Sequence, residues 1–380
     1  MKKFLLISLS VLLFLNSSLE VYAAETTDDY GDELSESLGV DKLYSVLSDD
    51  VKTVLSELGI EEVNAQSLAD VKFSDTLEVV SKIAQKQSLA VFSSLGIIIA
   101  VLLLYALVEG FLQSMTSQTM REVLSVVCTL CIACALVLPI TDVIGSADEA
   151  IRVSAEFMLL FVPLMVAVLV SCGRVLSGSG YYSMLVFTAE GIAQLSSKVI
   201  TPMLNVFLGV SLCTTIVPGL KLDSLTDLFS KTIKWLLSFS FTIFSALLTF
   251  RTLITTSIDN VSTRAVRFTM SSFIPVVGAA LSEAYKTVQG SVMILKNGIG
   301  VFVIMAIGIV FLPIVLRLFL WSFALSLCRT ISEILGVSVP GRLLKSLSTV
   351  LSVLLAVVLC VMALFIISTA LIITVGGQTT

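Results

Sequence analysis

The dominant pattern along the chain is a series of apolar runs separated by short polar stretches. About 20 predominantly apolar residues cross the ~30 Å hydrocarbon core of a bilayer as one helix. Runs of that kind cover 89–112, 123–144, 155–172, 232–256, 299–327 and 347–375. The pattern predicts an all-α, polytopic helical integral membrane protein with about 6–8 spans.

Two further apolar stretches do not fit a simple crossing. The stretch 183–217 would be roughly 52 Å long as one straight helix, and Pro202 lies near its middle. Since proline lacks the amide hydrogen that an inner helical turn needs, we expect a break at Thr201-Pro202, giving two shorter helices or a membrane-dipping hairpin. The stretch 268–295 contains Pro275 and Gly278 and is expected to be an interfacial or re-entrant element.

The N-terminus has the pattern of an export signal. Lys2 and Lys3 precede the apolar run Phe4–Leu15, and small residues follow at Val21–Ala23. This order predicts a signal peptide over 1–24, with an uncleaved anchor as the alternative. The segment 25–88 is acidic and gains helical spacing of apolar residues after Asp41, so we expect a small, partly helical exported head. The membrane domain is expected to cover 89–380.

Charges near the runs predict an orientation. Lys and Arg favour the cytoplasmic side, which places the turns at Arg121 and Arg174 inside, together with the late turn that carries Arg329 and Arg342. The acidic stretch between the second and third runs, around Asp148, is expected to form an outside loop. The head and the C-terminus are then both outside.

Composition supports a membrane protein and argues against catalysis. The chain is 56% hydrophobic and only 13% charged, where a soluble domain has about 25% charged residues. It has no His, which removes the commonest general base and metal ligand. Cys128, Cys131 and Cys134 have C-x2-C-x2-C spacing, but they lie inside an apolar run, where packing between helices is favoured over an iron–sulfur cluster.

No enzyme activity and no cofactor are therefore expected. The head has 15 acidic residues against 5 basic ones, a balance that argues against binding nucleic acid. The lipid bilayer is the expected environment.

A few charges lie in or near the runs, where one at mid-bilayer costs about 2.5–3.5 kcal/mol on insertion scales. Arg251 is near enough to an interface to extend its charge into water. Glu190 and Arg317 are not explained this way, and they predict either a structural polar contact or a water-lined path. Small residues such as Gly300 and Ser245 favour close helix–helix assembly.

Three segments resemble a known family. They are Thr263–Phe268, Ser272–Gly278, which reads Ser-Phe-Ile-Pro-Val-Val-Gly, and Leu295–Gly298, which reads Leu-Lys-Asn-Gly. In order and spacing they resemble the stage III sporulation protein AE family, and the likeness extends over most of 89–380. The positions that match the family motif, whose role is unknown, are Pro275, Val276, Val277, Gly278, Lys296 and Asn297.

The resemblance implies a membrane subunit of a secretion-like channel complex between mother cell and forespore, needed for endospore development after engulfment and acting by assembly and conduit lining. It implies location in the mother-cell membrane around the forespore. It also implies partners among the other membrane proteins of the stage III sporulation A operon and, indirectly, the forespore protein stage II sporulation protein Q. From the residues alone, a stand-alone secondary permease for a small solute stays open as an alternative.

Overall fold

In the computed structural model of the chain, the described residues are 40–60, 73–112, 118–171, 175–216, 223–273 and 278–374. These residues are almost entirely helical and contain no strand. Six of the helical segments are long and apolar enough to cross a membrane. The predicted all-α, polytopic membrane fold is confirmed.

The helices follow one another through short connections. Two short helices, α1 (Asp41–Val46) and α2 (Asp49–Glu57), precede the long ones. The long elements are α3 (Phe73–Leu112), α4 (Gln118–Ser171), α5 (Val175–Leu195), the π-helical turn π1 (Ser196–Ile200), α6 (Thr201–Ile216), α7 (Asp223–Phe273), α8 (Gly278–Ile334) and α9 (Ser338–Thr374).

The core of the bundle is the hairpin of α8 and α9, which share the most extensive contact between any two elements described. In the most apolar stretch of each of these helices, 61% of the residues are buried, against 11% in α7. The turn between them is a Schellman motif, in which Val337 N–H bonds to Ser332 O and Gly336 N–H to Glu333 O. Gly336 has φ 74°, a conformation that other residues adopt only with strain.

The outer helices present large apolar side chains away from the core. On α7, Trp235 is 63% exposed and Phe250 is 65% exposed, and on α3 Leu107 is 76% exposed. An apolar surface of this extent is not tolerated in water but suits contact with lipid. The outward residues therefore agree with the membrane placement of the bundle.

One predicted loop is wrong. The runs 123–144 and 155–172 belong to one helix, α4, which continues through the acidic stretch around Asp148. The stretch contains no glycine pair or proline that would stop a helix, and Arg152 bonds Glu149 and Glu156 at helical spacing. Since α4 has its two ends at opposite ends of the bundle, the turns near Arg121 and Arg174 cannot both be inside if α4 crosses the membrane once.

The predicted break at Thr201-Pro202 is also wrong. The backbone stays helical from Val175 to Ile216 through π1. Thr201 N–H bonds to Ser196 O, five residues earlier instead of four. The extra residue in this turn accommodates Pro202, whose ring would otherwise meet the carbonyl of the residue four before it. A local widening of the helix replaces the expected hairpin.

The stretch 268–295 does not form a separate element, because its first residues end α7 and its last ones begin α8. The signal-peptide prediction lies outside the described residues. Of the predicted head, 40–60 and 73–88 are described. Residues 73–88 form the first part of α3 and run without a break into the first span, so the structure shows no boundary at 88. In 40–60, the apolar side chains Leu43, Leu47 and Leu55 are buried against the bundle. Lys82 of α3 forms an ion pair with Glu57 of α2 at 3.3 Å. Export of the head stays a prediction.

Candidate functional site

A charged contact joins α4 and α8. Arg317 donates hydrogen bonds to Asp142 Oδ2 at 2.5 Å and to Ser146 Oγ at 3.2 Å. The side chain of Arg317 is 22% exposed and that of Asp142 is 64% exposed. Pairing with a carboxylate offsets part of the cost of placing a guanidinium among apolar helices. Arg317 therefore makes a polar contact between two helices, while a water-lined path at this position stays a prediction.

A second polar contact lies less than two turns further along α4. Asp148 Oδ1 accepts hydrogen bonds from Ser196 Oγ at 3.1 Å and from Thr201 Oγ1 at 3.0 Å. Ser196 begins π1, and Thr201 follows its last residue. Through these two hydrogen bonds, one carboxylate oxygen of α4 contacts both ends of the π-helical turn. Together, the two contacts along α4, with Asp142 and Asp148 as their carboxylates, form a polar belt.

A third contact lies toward the other end of α8, within the motif that carries the family resemblance. Lys296 is 1% exposed, and its ammonium donates to Ile373 O at 2.7 Å. Ile373 is the penultimate residue of α9, where carbonyls lack intrahelical donors and the helix dipole is negative. A cation is well placed there, since it binds an orphan carbonyl and offsets that partial charge.

Gly300 allows the two helices to come this close. A Cβ built at Gly300 would lie 2.3 Å from Ile373 Cγ1 and 2.5 Å from Cδ1. Both distances are far shorter than a normal carbon–carbon contact of about 3.5–4.0 Å. The segment from Lys296 to Gly300 thus holds the end of α9. This gives Lys296 of the motif a structural role.

Several buried polar atoms of the core helices are without a hydrogen-bond partner among the described residues. They include Asn297 Oδ1 on α8, Ser154 Oγ on α4 and Ser368 Oγ on α9. Unpaired buried oxygens are uncommon and are often satisfied by water. These three atoms lie on the helices that supply most of the buried core.

The other predicted site residues fall in different places. Glu190 is exposed on α5 and accepts a hydrogen bond from Gln194 at 2.7 Å, so it does not enter the polar belt. Pro202 is exposed and is the second residue after π1. Arg251 lies within α7, and nothing is described of its side chain. Gly278 begins α8, and Pro275 lies outside the described residues.

The sequence reasoning missed Asp148, Ser196 and Thr201 as site residues. Assigning Asp148 to an outside loop separated it from its partners. A usable signal was present, because Pro202 removes the donor for the carbonyl four residues earlier, and hydroxyl residues cluster around that position. Within the described ranges, no group of three His, Cys, Asp or Glu side chains is placed to hold a metal ion.

Comparison with known proteins identifies relatives of the chain. A family profile described as stage III sporulation protein AE matches residues 59–376. A curated protein named stage III sporulation protein AE, from Bacillus subtilis (strain 168), is 27% identical over 237 residues. The match covers 62% of this chain and 59% of that protein's length. No solved structure matches the chain.

Proposed function

The chain belongs to the stage III sporulation protein AE family, and on that premise we propose that it is a membrane subunit of a mother cell–forespore channel complex. It acts by assembly with other membrane proteins, lines part of a secretion-like conduit and is needed for endospore development after engulfment. The observation that carries the proposal is the family match over 59–376, which includes all six membrane-crossing candidates.

The charged groups of the bundle favour assembly over solute transport. Arg317 is paired with Asp142, and Lys296 is held by a backbone carbonyl. Carriers usually place several ionisable side chains around a site at mid-membrane. These two cations instead fasten helices to one another. A stand-alone secondary permease is the alternative function.

We propose that the protein resides in the mother-cell membrane around the forespore, with the head outside the cytoplasm. Its direct partners are the other membrane proteins of the stage III sporulation A operon, and stage II sporulation protein Q is reached indirectly from the forespore side. The exposed apolar faces of α3 and α7 supply the lipid-facing and helix-contacting surface that such a subunit needs.

Affinity purification tests the proposed assembly. Full-length tagged protein is extracted in mild detergent from sporulating cells of the organism that carries the gene, and the proteins that travel with it are identified by mass spectrometry. Enrichment of the other stage III sporulation A proteins, relative to an unrelated tagged polytopic protein from the same cells, is expected. Recovery of the protein alone under conditions that preserve other membrane complexes would contradict the proposed assembly.

Deletion of the gene separates the two functions. Loss of heat-resistant spores with normal growth on defined solutes is expected for a channel-complex subunit. Normal spore yield with a defect in uptake of one solute would instead support the permease.

A further inference from the structure

The carboxylate of Asp148 has an unusual set of neighbours. Both hydroxyl donors, from Ser196 and Thr201, converge on Oδ1. Among the described residues, no donor lies within hydrogen-bond distance of Oδ2. One oxygen of a partly buried carboxylate is therefore available to a further ligand.

Among the described residues, no protein cation is bonded to this carboxylate, and Arg152 attracts it only at longer range. Arg152 lies one turn further along α4, but its guanidinium donates to Glu149 at 2.7 Å and to Glu156 at 3.0 Å. Within the part of the chain that the structure describes, no Lys or Arg nitrogen lies within 4.0 Å of Asp148. A negative charge among apolar helices without a bonded cation is costly.

The backbone beside Asp148 offers another oxygen. Pro202 has no N–H, and in the i→i+5 register of π1 it is the residue that would donate to the carbonyl of Ser197. Thr201 N–H is already bonded to Ser196 O. Irregular helical turns in membrane proteins coordinate small cations through such freed carbonyls.

We propose that Asp148 and π1 form a binding site for a small monovalent cation, with Na⁺ as the ion that fits the chemistry. The ligands are the Asp148 carboxylate, the hydroxyl oxygens of Ser196 and Thr201, and the backbone carbonyl of Ser197. A single carboxylate matches a single positive charge, whereas Ca²⁺ sites in proteins usually gather several acidic ligands. The ion links α4 to the π-helical turn, and the site does not depend on the proposed channel function.

Thermal unfolding of the purified full-length protein in detergent tests the site. Unfolding is followed in NaCl and in choline chloride at about 0.15 M each, so that ionic screening is equal. Since a ligand that binds only the folded state stabilises it, Tm in NaCl is expected to exceed Tm in choline chloride by roughly 2–4 °C. The difference should saturate as Na⁺ is raised. Equal Tm values in the two salts would overturn the proposal.

Matched variants locate the effect. Asp148→Asn and Thr201→Val should abolish the Na⁺-dependent part of Tm, while Thr201→Ser keeps the hydroxyl and should retain it. Asp142→Asn is the control, because it makes the same substitution on the same helix in the neighbouring contact. The proposed site would be wrong if Asp142→Asn alone lost the Na⁺ response. It would also be wrong if Thr201→Val kept that response. If Asp148→Asn does not fold, the comparison of Thr201→Val with Thr201→Ser decides.

Discussion

Substitution of Gly300 tests the close approach of α8 and α9 most directly. In Gly300→Ala, the new Cβ would lie 2.3 Å from Ile373 Cγ1. Either the Ile373 side chain must turn away or the helices must separate, and the second response also lengthens the bond from Lys296 to Ile373 O. Overpacking of this kind costs about 1–3 kcal/mol. The better helix propensity of alanine returns up to about 1 kcal/mol.

The net expectation is a loss of about 1–2 kcal/mol in the free energy of unfolding. It is measured by unfolding the purified protein in mixed detergent micelles and following helical circular dichroism. Gly290→Ala is the control on the same helix, since a Cβ there meets nothing within 4 Å. That variant should be as stable as the parent or slightly more stable.

A double-mutant cycle identifies the contact responsible. Ile373→Ala removes both atoms that the new Cβ would meet, so Gly300→Ala should cost little in that background. The coupling energy is then at least about 1 kcal/mol, as found for residues in direct contact. If Gly300→Ala behaves like Gly290→Ala, or if its cost is unchanged when Ile373 is alanine, Gly300 does not pack against the end of α9.

Three other changes have definite expected outcomes. Arg317→Met and Asp142→Asn should show a coupling energy of up to about 1 kcal/mol in a double-mutant cycle, because the Asp142 side chain is 64% exposed; additive effects would mean that the pair does not form. Leu55→Asp puts an unpaired charge at a fully buried position, at a cost of about 3–5 kcal/mol, and should make 40–60 sensitive to protease while the long helices stay folded. Equal protease resistance in the parent and this variant would show that 40–60 does not pack on the bundle. Gly336→Ala forces a side chain into φ 74°, and it should lower the free energy of unfolding by about 1–2 kcal/mol; unchanged thermal stability would argue against the Schellman turn.

Hydropathy predicts the helical membrane fold because lipid permits few alternatives. A spanning segment must satisfy its own backbone hydrogen bonds, so apolar length translates directly into helices. The apolar run 347–375 lies almost entirely within α9, which ends at Thr374 but begins nine residues earlier, at Ser338. For this segment, length and composition alone are sufficient to predict a membrane-crossing helix.

Continuity of the helices is harder to predict from the sequence. A charged stretch within α4 has the composition of a loop, but its Glu and Arg residues pair at helical spacing and sustain the helix. Pro202 suggests a break, but one added residue in the preceding turn accommodates its ring. Both outcomes depend on packing against other helices, which a window of local sequence does not contain.

The partners of the charged residues are equally inaccessible to sequence reasoning. The apolar run around Arg317 shows that this charge needs a partner, but that partner, Asp142, is 175 residues earlier in the chain. Lys296 stands out only as part of a motif, and its acceptor is a backbone carbonyl 77 residues later. A backbone acceptor leaves no trace in residue type, so no sequence pattern can identify it.

The continuity of α4 has a mechanical consequence. At 54 residues, this helix is about 81 Å long, well over twice the ~30 Å hydrocarbon thickness. A tilt of about 5° around its centre would displace each tip by roughly 3.5 Å. Asp142 and Asp148 lie close to that centre, where the same tilt gives almost no displacement. The polar belt therefore holds α4 at its pivot, and its contacts can persist while the two tips move.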